Sequence, residues 1–165
     1  IYSALAEQTR RLDAAGIPWD VVPGVPAYAA AAAELGVELT VPEVVQSVVL
    51  TRVQARSTAM PPAEALENFA ATGATLVLHL AITRIRELAE RLVPTHGADC
   101  PVAVVANASR PHRVELRGTL ADIADSVEAT GLRQAAVILV GSALDRPGSA
   151  ESWLYASDPE PILLN

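Results

Sequence analysis

The sequence predicts an α/β layered fold, a mixed sheet flanked by helices. Three observations predict it. Short apolar runs of strand length alternate with segments of helical period along the chain. Hydrophobic residues make up 51% of the chain and aromatics only 4%, so an ample core must be built from Ala, Val, Leu and Ile. Late in the chain one strand-like segment follows another after only a few residues, and a connection that short favours an antiparallel pair.

The elements follow in order. Ala4 to Ala15 reads as a helix, with Leu5, Leu12 and Ala15 on one face and Gln8, Arg10 and Arg11 turned away. Gly16 stands at its C-terminal stop. Trp19 to Val22 reads as a short strand closed by Pro23-Gly24. Pro26 to Leu35 is an Ala-rich helix stopped by Gly36, and its small side chains allow close approach of a backbone or a ligand. Gln46 to Val53 reads as a strand. Pro62 to Ala71 reads as a helix with Pro62 at its first position and Leu66, Phe69 and Ala70 on one face.

Ala74 to Ala81 (ATLVLHLA) is a nearly continuous apolar run, the pattern of a strand covered on both faces. Thr83 to Val93 is the clearest amphipathic helix. Ile85, Leu88 and Leu92 form its inner stripe, and Glu87 to Arg91 is a favourable i,i+4 pair. Val102 to Ala106 is another buried strand, and Arg113 to Arg117 alternates as a half-exposed one. Thr119 opens a helix with Asp122 three residues on, a capping-box variant. Leu120, Ile123 and Val127 line its face, and Gly131 stops it. Ala135 to Val140 is a last buried strand ending at Gly141, and the tail after Pro147 is irregular.

Composition excludes several function classes. The net charge is -7, and all 12 basic residues are arginines spread along the chain, which disfavours a nucleic acid partner. No apolar run approaches the ~20 residues that cross a bilayer, and no signal peptide is visible. The single cysteine, Cys100, can form neither an internal disulfide nor a zinc site alone; a reducing cytoplasm fits, and burial beside the following strand is expected. The chain opens at Ile1 with a helical pattern already running, so preceding sequence is expected.

Ligands of open α/β sheets gather at the carboxyl ends of strands. After Trp19 to Val22 comes Pro23-Gly24-Val25-Pro26-Ala27-Tyr28, leading into a helix whose free N–H groups suit an anion or simply form a turn. Ala81-Ile82-Thr83 and Asn107-Ala108-Ser109-Arg110 follow two later strands. Small residues there let a flat ligand lie against backbone that can read an adenine edge; plain close packing is the alternative. His79, within an apolar strand, reads as a buried, hydrogen-bonded histidine, and His96 and His112 as solvated loop residues. No two histidines share a metal-ligand spacing, so no metal is expected. GxSxG, GxxxxGK[ST], HExxH and GxGxxG are all absent, which leaves hydrolase triads, phosphate loops and zinc catalysis unsupported. Arg52 and Arg56 suit either the carboxylates of an acidic substrate or the surface, and Met60 either a large flat ligand or a core gap.

Taken together, IYSALAEQTRRL, VVPGVPAYAAAAAELGVELT, QSVVLTR, AMP, FAATGATLVLHLA, GADCPVAVVANAS, RGTLADIAD and AVILVG resemble the tetrapyrrole (corrin/porphyrin) methylase family. The set is most similar to members that methylate ring carbon 11 of precorrin-4 in cobalamin biosynthesis. The resemblance implies S-adenosylmethionine as methyl donor, a tetrapyrrole acceptor, S-adenosylhomocysteine as product, and a homodimer. It implies that residues 1–24 close an N-terminal α/β domain and that residues 25–165 form the C-terminal domain. The family's Gly-Asp-Pro segment and Gly-rich loop would precede Ile1, so this chain alone is expected to bind cofactor weakly and to be inactive. Carried over by position, the cofactor contacts are Ile1, Pro26, Ala27, Leu80 and Ala108, with substrate contacts at Arg52 and Met60. Relatives often hold Ser or Thr where Pro26 stands. No general base is identified. The alternatives are another tetrapyrrole methylase, acting on uroporphyrinogen III or a different precorrin, and a non-catalytic α/β dimerisation or regulatory domain.

Overall fold

A computed structural model describes residues 1–53 and 59–145. Arg56 and the tail after Pro147 lie outside the described residues. The elements in chain order are α1 (Leu5–Ala14), α2 (Ala27–Leu35), β1 (Val48–Arg52), α3 (Leu66–Ala70), β2 (Thr75–His79), α4 (Ile85–His96), β3 (Pro101–Ala106), β4 (Val114–Thr119), α5 (Ile123–Thr130) and β5 (Ala136–Val140).

The strands form one mixed five-stranded sheet in the order β1-β2-β5-β3-β4. β1 and β2 are parallel; β5 runs antiparallel to both β2 and β3, and β3 and β4 form the expected antiparallel pair. One edge of the sheet therefore carries the carboxyl ends of β1, β2 and β3 together with the amino ends of β5 and β4. Ala106 sits opposite Ala136, and His79 opposite Val137, along that edge.

Side chains alternate between two cores with the strand period of two. Leu76, Leu78, Val102, Val104, Ile138 and Val140 point to one face and pack against α3, α4 and α5. Val77, Ala103, Val105, Val137 and Leu139 point to the other and meet Ala31 and Leu35 of α2. The continuous apolar runs of β2, β3 and β5 are thus explained: each strand is covered on both faces. Outside the core, Arg91 ties α4 to Glu67 of α3 at 2.7 Å, and Arg86 ties α4 to Asp125 and Glu128 of α5 at 2.5 and 2.6 Å. These pairs are exposed, so they orient the helices more than they stabilise them.

The structure corrects several expectations. Trp19 to Val22 is not a strand: no neighbouring strand pairs with it among the described residues, and Val22 is exposed. Trp19 instead donates its indole N–H to Asp13 at 2.8 Å, folding back onto α1. The apolar face of α1 is uncovered, since no residue of that helix is buried. Pro62 to Ala71 is broken at Ala65, which is extended, into a 3₁₀ turn and the short α3. Pro94 does not end α4, which runs on to His96 although the proline contributes no N–H to the helix ladder.

Thr119 ends β4 rather than opening a helix. Half of the predicted box still forms, because the Asp122 carboxylate accepts the Thr119 backbone N–H at 2.7 Å before α5 begins. His96 is not solvated: both ring nitrogens are buried without a hydrogen-bond partner, and burial lowers its pKa, keeping the ring neutral. Cys100 is half-buried, and burial pushes its thiol pKa up, the opposite of a reactive thiolate.

Candidate functional site

The strand edge that gathers the carboxyl ends of β2 and β3 opens into a cleft of about 820 Å³. Three segments predicted from the sequence meet there. α2 contributes Ala27 and Ala30 from its first turns, the turn after β2 contributes Leu80, Ile82 and Thr83, and the loop after β3 contributes Asn107, Ala108 and Ser109. A fourth segment was not foreseen: Gln134, Ala135 and Ala136 at the entry to β5. Strand carboxyl ends were the guide, and β5 runs the other way, so its beginning reaches the same edge.

The backbone of this cleft is unusual. Leu80, Asn107, Ser109 and Ala135 all adopt left-handed φ values of 54° to 63°. For residues with a Cβ that conformation is disfavoured, and such strain persists only where surrounding contacts impose it. Leu80, Asn107 and Ala135 flank strand ends, where a left-handed turn takes the chain out of the ladder, and Ser109 lies two residues further along the loop after β3. Asn107 donates its N–H to the Ala135 carbonyl at 2.9 Å, so two of the four lock each other. Leu80 keeps its side chain 68% exposed at the cleft wall.

α2 owes its placement to both ends. Its last turn closes on Gly36 in the left-handed region, with Val37 N–H reaching the Ala32 carbonyl at 3.1 Å. Arg117 of β4 donates to the Leu35 carbonyl at 2.7 Å, satisfying an otherwise orphaned helix-end acceptor. Glu34, one residue earlier, accepts the backbone N–H of Ser109 in the loop after β3. Buried Ala31 and Leu35 press the helix onto the sheet, and its first turns with Ala27 and Ala30 project to the cleft.

The remaining candidates are spread around this edge. Pro26 caps α2 in an extended conformation between two lining residues, and its carbonyl accepts from Ala29 and Ala30 at 3.1 Å. Arg52 ends β1 in register with His79, and Met60 is half-buried; neither is on the cleft wall. Ile1 is exposed, and its neighbour Tyr2 places the start of the chain over His79, ring centroids 5.6 Å apart. His79 lines the cleft but departs from the expected hydrogen-bonded core histidine: its Nε2 is buried without a partner, and burial lowers its pKa. No group of three or more acidic, histidine or cysteine side chains suited to a metal occurs among the described residues. Nor, among them, is any helix long and apolar enough to cross a membrane.

Comparisons with known proteins identify the family to which this fold belongs. The model of the family described as Tetrapyrrole (Corrin/Porphyrin) Methylases matches residues 1–124. A precorrin-4 C(11)-methyltransferase of Rhodococcus erythropolis is 56% identical over 97% of this chain and 64% of its own length. The X-ray structure of a cobalt precorrin-4 methyltransferase superposes with a TM-score of 0.81 at 36% identity, over 88% of this chain and 61% of that one. A uroporphyrin-III C-methyl transferase from Thermus thermophilus, complexed with S-adenyl homocysteine, shares the fold with a TM-score of 0.66 at 22% identity, over 87% of this chain and 62% of its own. The chain therefore spans less than two thirds of the length of these relatives.

Proposed function

The chain belongs to the tetrapyrrole (corrin/porphyrin) methylase family, and from that premise we propose that it is part of a S-adenosylmethionine-dependent methyltransferase acting on ring carbon 11 of precorrin-4 or cobalt-precorrin-4. The observation that carries the reading is the meeting of Ala27, Leu80 and Ala108, from three separate segments, in one cleft. Its volume of about 820 Å³ suits a nucleoside-sized ligand. Its walls suit one too: alanines on α2, after β3 and at the start of β5 leave backbone accessible to a flat base.

When bound, S-adenosylmethionine supplies a sulfonium methyl group already activated for transfer to a carbon nucleophile. What remains for the protein is alignment and exclusion of water. Ala27, Ala30, Ala108 and Ala136 shape the slot, and the left-handed residues fix the turns on which it is built. Leu80 offers an apolar surface at the wall, and Arg52, at the end of β1, is suited to a substrate carboxylate. No general base is assigned. Residues 1–24 are read as the close of an N-terminal domain and residues 25–165 as the C-terminal domain; the wholly unburied α1 is consistent with that division. Homodimerisation and a cytoplasmic location belong to the same reading.

The substrate assignment rests on 56% identity, over 97% of this chain, to a precorrin-4 C(11)-methyltransferase. Mass spectrometry tests it. The protein extended to its relatives' full length, incubated with S-adenosylmethionine, is expected to convert precorrin-4 or its cobalt form to a product heavier by one methyl group. Methylation of uroporphyrinogen III instead would move the assignment within the family. No methylation of any tetrapyrrole would favour the non-catalytic module.

A further inference from the structure

We propose that Glu34 is a positioning residue that holds the loop after β3 in the shape the cleft requires. Its carboxylate sits near the end of α2, and its side chain is only 12% exposed. Oε1 accepts the backbone N–H of Ser109, 75 residues away in sequence, and Oε2 faces Arg113 at 3.9 Å. Oε2 is buried without a hydrogen-bond partner. A buried carboxylate with so few partners is costly to keep, and here its hydrogen bond reaches the segment that carries Ala108.

The loop needs such a tether. Asn107 and Ser109 both hold left-handed φ on either side of Ala108. Asn107 is pinned by the Ala135 carbonyl, and Ser109 by Glu34. Removing the second pin lets Ser109 relax to ordinary φ and moves Ala108 with it. Glu34 therefore ties the two opposing cleft walls, α2 and the loop, into one unit. A charge-assisted hydrogen bond is strong enough that its loss leaves the competent loop populated only about 1–10% of the time, so apparent ligand affinity falls about 10- to 100-fold.

The inference rests on the cofactor reading above, and the test separates the two. In protein of full relative length, hydrogen exchange at the Ser109 amide and calorimetric binding of S-adenosylhomocysteine are measured for wild type, Glu34→Ala and Glu34→Gln. The glutamine retains an oxygen acceptor. Expected are a protected Ser109 amide in wild type and Glu34→Gln, rapid exchange in Glu34→Ala, and binding weakened about 10- to 100-fold in Glu34→Ala but within about threefold of wild type in Glu34→Gln. Unchanged exchange and affinity in a folded Glu34→Ala protein would overturn the proposal. So would equal weakening in both variants with Ser109 still protected, because that pattern marks a general loss of structure. If Ser109 behaves as expected but wild type shows no heat with the ligand, the tether stands and the cofactor reading falls.

Discussion

Replacing Ala108 with phenylalanine is expected to weaken S-adenosylhomocysteine binding about 10- to 100-fold while the fold survives. Ala108 is half-buried on the cleft wall, between the strained Asn107 and Ser109, and the same cleft is lined by Ala27 and Ala30 of α2. A phenyl ring at this position is expected to occupy the slot. Filling it forces the ligand either to be excluded or to displace the ring, and overpacking of that kind costs about 1–3 kcal/mol, with each 1.4 kcal/mol a factor of ten in affinity. The side chain leaves the sheet at its rim, so thermal unfolding followed by circular dichroism should remain close to wild type. Calorimetry reads the affinity. Wild-type affinity in a folded Ala108→Phe protein would remove Ala108 from the site.

The largest expected loss of stability comes from a glycine. Gly141 ends β5 with φ 139° and ψ 167°, a region open to almost no other residue. A Cβ there would stand 3.3 Å from the Thr75 Cα, where the partner is backbone and cannot rotate away. Thr75 is itself fixed, since its buried hydroxyl donates to the Leu39 carbonyl at 2.8 Å. Gly141→Ala therefore combines backbone strain with a tight contact, and a loss of about 2–4 kcal/mol is expected. Urea unfolding of the variant measures it. A loss below about 0.5 kcal/mol, the size of an ordinary surface change, would show that the end of β5 can shift freely.

Much of this fold is legible in the sequence because burial on two faces writes a continuous apolar run. ATLVLHLA, VAVVA and AVILV each became a central strand for that reason. The same signal misled at Trp19 to Val22, where apolar residues occur without a strand to pair with. Strand order was hidden: nothing local marks β5 as the strand inserted between β2 and β3. The same gap conceals Gln134, Ala135 and Ala136, because β5 brings its amino end, not its carboxyl end, to the cleft.

The lining of the candidate cleft was legible where side-chain size mattered and illegible where backbone conformation did. Small residues pointed to Ala27 and Ala108. Left-handed φ at Leu80, Ser109 and Ala135 leaves no trace in residue type; of the four strained positions only Asn107 has a side chain enriched there. Nothing local marks Glu34, since its partners lie 75 and more residues away. Periodicity predicts burial of His79 but not whether a partner awaits its Nε2, while Pro94 and Gly97 around His96 suggest a solvated loop where the last turn of α4 buries both ring nitrogens.

On the proposed function, the methyl donor binds in the cleft at the shared edge of β2, β3 and β5. Titrating S-adenosylhomocysteine into the ¹⁵N-labelled protein of full relative length, and following its amide resonances, tests this most directly. Saturable shifts are expected at Leu80, Ala108 and residues 134 to 136, with the outer faces of α4 and α5 still. Saturable shifts elsewhere with those amides unmoved, or no shifts at millimolar ligand, would contradict it.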